Sequence, residues 1–542
     1  MTKIIVQTNR NRLLRALQKL IAMPELVRDE NRETTFRREM DLPLPGSLEE
    51  KEIFRHLQEN FMPQFENAFP DPLAPKTVVI VPSLTLDQQI LSKIEGIVHY
   101  EERLLCLLML LRMPRTHVIF VTSVPIDPVI VDYYLHLLPG ITGYHARNRL
   151  TLLSCFDASP HSLTEKILDR PRLIQRIKDS IPPGHLSHLA CFNVTAHERR
   201  LAVALHMPLY GCDPDLYHLG NKSNGRKLFK ACGLTVPNGS EDVADKQGIA
   251  EALYKLKRDN PNLRKAVVKM NEGFSGEGNA IYLYEKEEIG VQQILEQLPF
   301  NLRIVAKDLS FSTYMSKFEM DGGIVEEFID GNQKHSPSVQ CRITPLGICN
   351  VVSTHDQELG GESGQVFLGA HFPANIEYAK DLGDIGKKVG DALKDLGALG
   401  RFGIDFISIK ESKGWKHYAI EINLRKGGTT HPYLMLDYLT QGHYNAETGI
   451  YRMANGQARY YFSSDNLRNL CYRGLTPHDL IDIAMVHELR YDGSTQEGVT
   501  FHLIGALSQY GKLGVVCIGD TPEKAQMYFR RTVEVLEKEC RR

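Results

Sequence analysis

The residue types able to do chemistry are concentrated in residues 401–430. Two strand-like runs there, RFGIDFISI and HYAIEINLR, flank the turn-forming ESKGWK and predict a β-hairpin. Side chains alternate across a strand, so Glu421, Asn423 and Arg425 are expected on one face and Ile422 and Leu424 on the other. Asp405, between Ile404 and Phe406 in the facing strand, can add a second carboxylate from across the hairpin. Mg2+ is a hard ion that prefers oxygen ligands and takes few protein groups, leaving its other positions to phosphates and water. Asp405, Glu421 and Asn423 form such a set, and Arg425 beside them can neutralise charge on transferred phosphoryl oxygens. The plain alternative is a hairpin with one solvated polar face. Against it, Asp and Asn are disfavoured inside strands, yet here they sit among apolar neighbours.

Three further segments carry polar groups suited to a polyphosphate. KAVVKMNEGFSGEGNAIYLY (265–284) places a glycine-rich loop between two strands, and the GK[ST] of a Walker A loop is missing. Lys269 lies in the first strand; Gly273, Gly276 and Gly278 free the loop backbone to approach phosphate oxygens, and Ser275 can donate a hydroxyl. A flexible hairpin connection is the competing reading. In GGIVEEFIDG (322–331), the strand formed by Glu326, Glu327, Phe328 and Ile329 can present backbone groups to an adenine edge, with Glu326 or Glu327 accepting from the exocyclic amine. In NKSNGRKLFKACGLTVPNG (221–239), Lys222 precedes a helix and can reach a phosphate, although an ordinary surface lysine would look the same.

These residues must be held by a chain of 542 residues, long enough for three or four structural units. Hydrophobic residues make up 42% and charged residues 24%, as in globular proteins. A net charge of −2 leaves no electrostatic footprint for nucleic acid, and the longest strongly apolar stretch, residues 104–111, is far short of a membrane span of ~20 residues. Ten cysteines without a CxxC pair read as reduced thiols, neither a disulfide framework nor a zinc site, which favours the cytoplasm. Residues 1–70 are expected to form a helical N-terminal arm packed on the body; the alternative for its basic amphipathic segment at 10–23 is a mitochondrial presequence, disfavoured by Asp29, Glu30 and Glu33 close behind. A β-α-β alternation from TVVIVPSLT through HVIFVTSV predicts a doubly wound domain over 71–212, without the GxGxxG of a dinucleotide site. Two α+β lobes are expected at 213–322 and 323–461, and an α+β unit at 462–542 whose last helix starts at Thr521, Pro522 and Glu523.

Taken in order, the four segments resemble the ATP-grasp superfamily: a lysine before a helix, a lysine with a glycine-rich loop, an EEFI hinge, a GIDF strand and an EIN-x-R strand. The resemblance implies Lys222 and Lys269 on the phosphates of ATP, the 273–278 loop over them, residues 326–329 on adenine, and Asp405, Glu421 and Asn423 on Mg2+. Finer features, NVTAHERRLA, PLYGCDPDLYHLGNKS, SPSVQ, EINLRKGGTTHPY and GKLGVVCIGDTPEKA, resemble the branch containing the pheganomycin-type peptide ligases. That implies a mixed α/β and α+β chain: a Rossmann-like pre-ATP-grasp domain, two ATP-grasp lobes and a small C-terminal domain. Leu424 stands where Pro is common in the last motif, followed by Lys426, Gly427 and Gly428.

The implied activity is carboxylate–amine ligation through an acyl phosphate, with an amino acid or short peptide on at least one side; a homo-oligomer is left open. Arg425 is the first candidate to stabilise the tetrahedral oxyanion and Arg342 the second. His431 is a general base or an orienting residue. The segment 353–365 is expected to cover the site or touch substrate. The rival from another class is a non-catalytic ATP-binding regulatory or scaffold protein, and a kinase that stops at the phosphorylated substrate is a further one.

Overall fold

The computed structural model describes residues 42–86, 88–273, 278–284, 290–306, 309–360 and 366–541. The basic segment at 10–23, Ser275, Gly276 and residues 361–365 lie outside the described residues. Within the arm, residues 48–68 form two helices, Leu48–Glu59 and Phe61–Ala68.

Four parallel strands follow, in the order Leu150–Ser154, Thr116–Thr122, Lys76–Val81, Leu186–Cys191. Their apolar runs are continuous because both faces are covered: Val78, Ile80, Val118 and Phe120 enter one core, Val79, Val81, Ile119 and Val121 another. Capping boxes at Ser162 with Glu165 and Thr195 with Glu198 start two of the covering helices. The helical stretch expected after the first strand is present, but Ile97–Arg112 winds as a 3₁₀ helix, with most of residues 101–111 buried.

A five-stranded antiparallel sheet comes next, in the order Gly239–Val243, Gly323–Glu327, Lys265–Met270, Asn279–Leu283, Leu302–Ile304. Gly323–Glu327 runs in its interior, so the lobe junction expected after residue 322 falls instead beyond this strand. Local pattern reveals a strand but not the sheet it joins.

The third sheet has nine strands. Its path runs Lys334–His335, Gly400–Glu411, Pro337–Ile343, Cys349–Gly360, Val366–Phe372, Tyr460–Arg468, Lys512–Gly519, Gly498–His502, with Gly414–Asn423 on the free edge of Gly400–Glu411. The helix Ala379–Asp395 packs on it closely enough that a Cβ at Gly390 would collide with Cys349 Sγ. The boundary expected at 461/462 lies inside Tyr460–Arg468, which pairs with Val366–Phe372 on one side and Lys512–Gly519 on the other. The C-terminal unit therefore extends the lobe's own sheet. Phe372, 1% exposed, stacks on Tyr461 at 4.9 Å where the two parts meet. The last helix, Pro522–Glu539, begins as expected with the Thr521 side chain accepting from the Lys524 amide.

One cysteine expectation is corrected. Cys471 and Cys540, 69 residues apart, form a disulfide that ties the turn Leu470–Gly474 to the end of the last helix; eight other cysteines are free and buried. No spacing rule joins two residues brought together only by tertiary packing. Among the described residues, no helix is long and apolar enough to cross a membrane.

Phe372→Ala is expected to cost about 3–5 kcal/mol. Guanidinium unfolding followed by far-UV circular dichroism and by fluorescence of Trp415, the only tryptophan, should shift together. A shift in one probe alone would mean that the sheet comes apart at residue 372.

Candidate active site

Between the five-stranded and nine-stranded sheets lies a cavity of about 900 Å³. Lys222, Lys269, Asp405, Glu421, Asn423 and Arg425 all line it, as do Gly273, Gly278 and residues 326–329. Arg342 and His431 do not.

The hairpin forms as expected, Gly400–Glu411 against Gly414–Asn423, with Asp405 opposite Glu421 and Gly403 opposite Asn423. The register slips between Asp405 and Phe406, which faces Ala419, leaving Ile420 as the extra residue of a β-bulge. Strict alternation is broken there: Ile420 and Glu421 both line the cavity, while Ala419 and Ile422 stay in the core. Asp405 accepts from Gln357 Nε2 at 2.8 Å and Asn423 Nδ2 at 2.9 Å; Glu421 accepts from Lys222 Nζ at 2.9 Å. Burial, then the charge of Glu421, push the Asp405 carboxyl up to about 6. Burial acts the same way on Glu421, but Lys222 and Arg425 outweigh it and hold that carboxyl below its ordinary range.

The donor set fits a divalent cation. Two carboxylates face each other with an amide beside them, and the raised Asp405 carboxyl marks negative charge that a cation would relieve. Among the described residues no group of three or more His, Cys, Asp or Glu side chains is placed to hold a metal ion; the set here is two carboxylates and one amide.

Glu326 does not present a free edge to a base as expected. It is 2% exposed, with Oε1 2.5 Å from Lys269 Nζ and Oε2 accepting from Arg226 Nη1 at 2.7 Å. Arg226 is itself fully enclosed, donating also to Glu241 at 2.8 Å and to the Pro237 carbonyl at 2.8 Å. A strand-interior glutamate cannot stay charged in a core without such partners. Glu327 accepts from the Asn238 amide at 2.8 Å, and the Phe328 ring lies 5.2 Å from Lys265 Nζ and 4.9 Å from Lys334 Nζ. The sequence reading missed Arg226, although it lies four residues after Lys222 in Lys222–Ala231 and so near the same helix face.

The opposite wall comes from distant parts of the chain. Arg103 and Asp465 line the cavity as an ion pair at 2.9 Å; no local motif announces either. His431 lies behind them, its Nδ1 donating to the Arg103 carbonyl at 2.8 Å and its ring 4.2 Å from His502. Burial, and then the charge of His502, drive its pKa far below the ordinary value, and it is absent from the cavity lining. Arg342 pairs with Arg401, about 13 Å along the strand from Asp405, too far to serve as the second oxyanion candidate.

Arg226→Met leaves Glu326 buried without one of its two cations. A loss of about 3–5 kcal/mol in urea unfolding is expected, partly recovered by adding Glu326→Leu. No recovery in the double variant would remove Glu326 as the group that Arg226 neutralises.

Comparison with known proteins bears on the same residues. The family model described as "IQCH-like, ATP-grasp" matches residues 214–293 and 284–447, and that described as "PGM1 C-terminal domain" matches residues 479–532. The L-propargylglycine–L-glutamate ligase of Streptantibioticus cattleyicolor is 27% identical over 469 residues, covering 85% of this chain and 94% of that enzyme. IQ motif-containing protein H of Danio rerio is 22% identical over 524 residues, covering 86% of this chain and 49% of that longer protein. In fold, N5-carboxyaminoimidazole ribonucleotide synthetase, solved as its ADP complex, aligns over 86% of this chain and 98% of its own with a TM-score of 0.50 at 13% identity. The ATP-grasp model covers residues 214–447, which supply most of the cavity lining, and the similarity to a ligase extends over 85% of the chain: the part of the chain that holds the site matches an ATP-grasp domain.

Proposed function

We propose that the protein is an ATP-dependent ligase that joins the carboxylate of an amino acid or short peptide to an amine through an acyl phosphate, releasing ADP and phosphate. The observation that carries this reading is the gathering of Lys222, Lys269, Asp405, Glu421, Asn423 and Arg425 around one cavity. Loss of such groups is the expected mark of a non-catalytic relative, so their presence favours an enzyme.

Asp405, Glu421 and Asn423 would hold Mg2+, which when bound supplies charge that screens phosphate oxygens from an incoming anion. Lys222 and Lys269 sit where they can trade their present carboxylate partners for phosphate oxygens. Of residues 326–329, which line the cavity, Glu326 is taken up by Lys269 and Arg226, so residues 327–329 would hold the base by backbone and ring contact. Gly273 and Gly278 keep the two ends of their loop together, since a Cβ at Gly273 would lie 3.3 Å from the Gly278 Cα. The substrate carboxylate attacks the γ-phosphorus in line, and the bond to the ADP oxygen breaks. The amine then attacks the acyl carbon, Arg425 offers its guanidinium to the oxyanion, and phosphate leaves with the bonding pair.

Mg-ATP turnover should require a pair of substrates from a panel of amino acids and short peptides, and yield a product mass equal to their sum minus water. A stable phosphorylated product formed without any amine would point to a kinase instead. Asp405→Ala or Glu421→Ala should abolish phosphate release in a folded protein; full activity in both would overturn the metal assignment.

A pH effect follows from Asp405. Its carboxyl holds a proton below about pH 6, which a divalent cation must displace. Affinity for Mn2+, followed by calorimetry, should fall roughly tenfold per pH unit below that point and level off above it. Asp405→Asn should bind weakly with no such slope.

A further inference from the structure

The wall of the cavity opposite the phosphate lysines holds a charge pair that the steps above do not use. Arg103 and Asp465 are 2.9 Å apart, with side chains 14% and 9% exposed, and both line the cavity. Gly428 connects them to the hairpin: it follows the strand bearing Glu421 and Asn423, three residues beyond Arg425, and a Cβ there would lie 3.8 Å from Asp465 Oδ2. The pair thus stands beside the place where the acyl group would be transferred.

Both charges are fixed in place. The Arg103 guanidinium lies 4.3 Å from the Tyr100 ring and 5.7 Å from the Phe192 ring, and its carbonyl accepts from His431. Its neighbour Glu102 accepts from the Gly505 amide at 3.0 Å, clamping this segment to the C-terminal strands. Asp465 Oδ1 is 3.0 Å from His502 Nε2, and Gly514 is required opposite, because a Cβ there would collide with that ring. Asp465 takes Nη2 of the arginine, while Nε is enclosed without an acceptor among the described residues and is shielded from the cavity. A guanidinium presents five N–H donors in a planar fork suited to carboxylates.

A cation and an anion held this close match one kind of small molecule. In an α-amino acid the amino nitrogen and the carboxyl carbon are about 2.5 Å apart across a single α-carbon. A peptide used as the amine has its carboxylate elsewhere, and a simple amine has none.

We propose that Arg103 and Asp465 form the subsite for the α-carboxylate and α-amino group of the amine-bearing substrate, which is therefore a free α-amino acid. Arg103 takes the carboxylate that does not react, and Asp465 accepts from the amine that does. Naming this group as the attacking amine rests on the ligase reading; the binding site itself does not.

The test is calorimetric titration of the common L-α-amino acids, and of their α-carboxamides, into the full chain saturated with Mg2+ and a non-hydrolysable ATP analogue. At least one amino acid should bind, with its carboxamide at least tenfold weaker. Arg103→Gln should weaken the acid about 10- to 100-fold and erase the acid–amide difference, leaving affinity for the ATP analogue unchanged. Arg103→Lys, which keeps the charge and loses the fork, should fall between. A purely structural ion pair would instead lower stability and leave the acid–amide ratio intact, which overturns the proposal. So would the absence of any amino acid whose binding depends on Arg103. Arg103-dependent binding with no ligated product would overturn the ligase and leave the subsite standing. A ligated product made only with peptides or carboxylate-free amines would do the reverse.

Discussion

Asp405 and Glu421 stand directly opposite each other on neighbouring antiparallel strands, and like charges so placed push a sheet apart. Much of the surrounding structure answers that repulsion. Gln357 and Asn423 donate to Asp405, Lys222 neutralises Glu421, and Arg425 lies near both. These groups come from the helix Lys222–Ala231, from Cys349–Gly360 and from the hairpin itself, so the two carboxylates tie that helix to the nine-stranded sheet that carries the other groups. A pair costly to the empty fold is what makes the place attractive to a cation.

What could be read from sequence was whatever local period and turn chemistry reveal. The hairpin was legible because Glu421, Asn423 and Arg425 alternate with Ile422 and Leu424 around a clear turn. The doubly wound domain was legible because both faces of its strands are covered, giving unbroken apolar runs such as TVVIV. Pairing over long separations was not legible. Gly323–Glu327 reads as the start of a second lobe, yet it lies inside the first sheet; residue 461 reads as a boundary, yet it sits within a shared strand. The bulge at Ile420, the Cys471–Cys540 bond and the burial of His431 likewise depend on contacts that no window of sequence contains.

Continuity of the nine-stranded sheet changes what counts as the site. Tyr460–Arg468 carries Asp465 to the cavity wall, and Gly498–His502 ends on the histidine that steadies it. The parallel-sheet domain contributes Arg103 and Phe192 to the same wall. Parts that look like accessories in a linear description are therefore walls of the same cavity as the two lobes.

The short helix Lys222–Ala231 reaches in two directions. Its first turn is tied through Lys222 to Glu421 on one sheet, and its next turn through Arg226 to Glu326 on the other; Leu228 and Phe229 anchor its far end in the core beneath the hairpin. In mechanical terms it is an axle with a bearing on each side. Whatever draws Lys222 off Glu421 releases one of the two bearings and leaves the other in place.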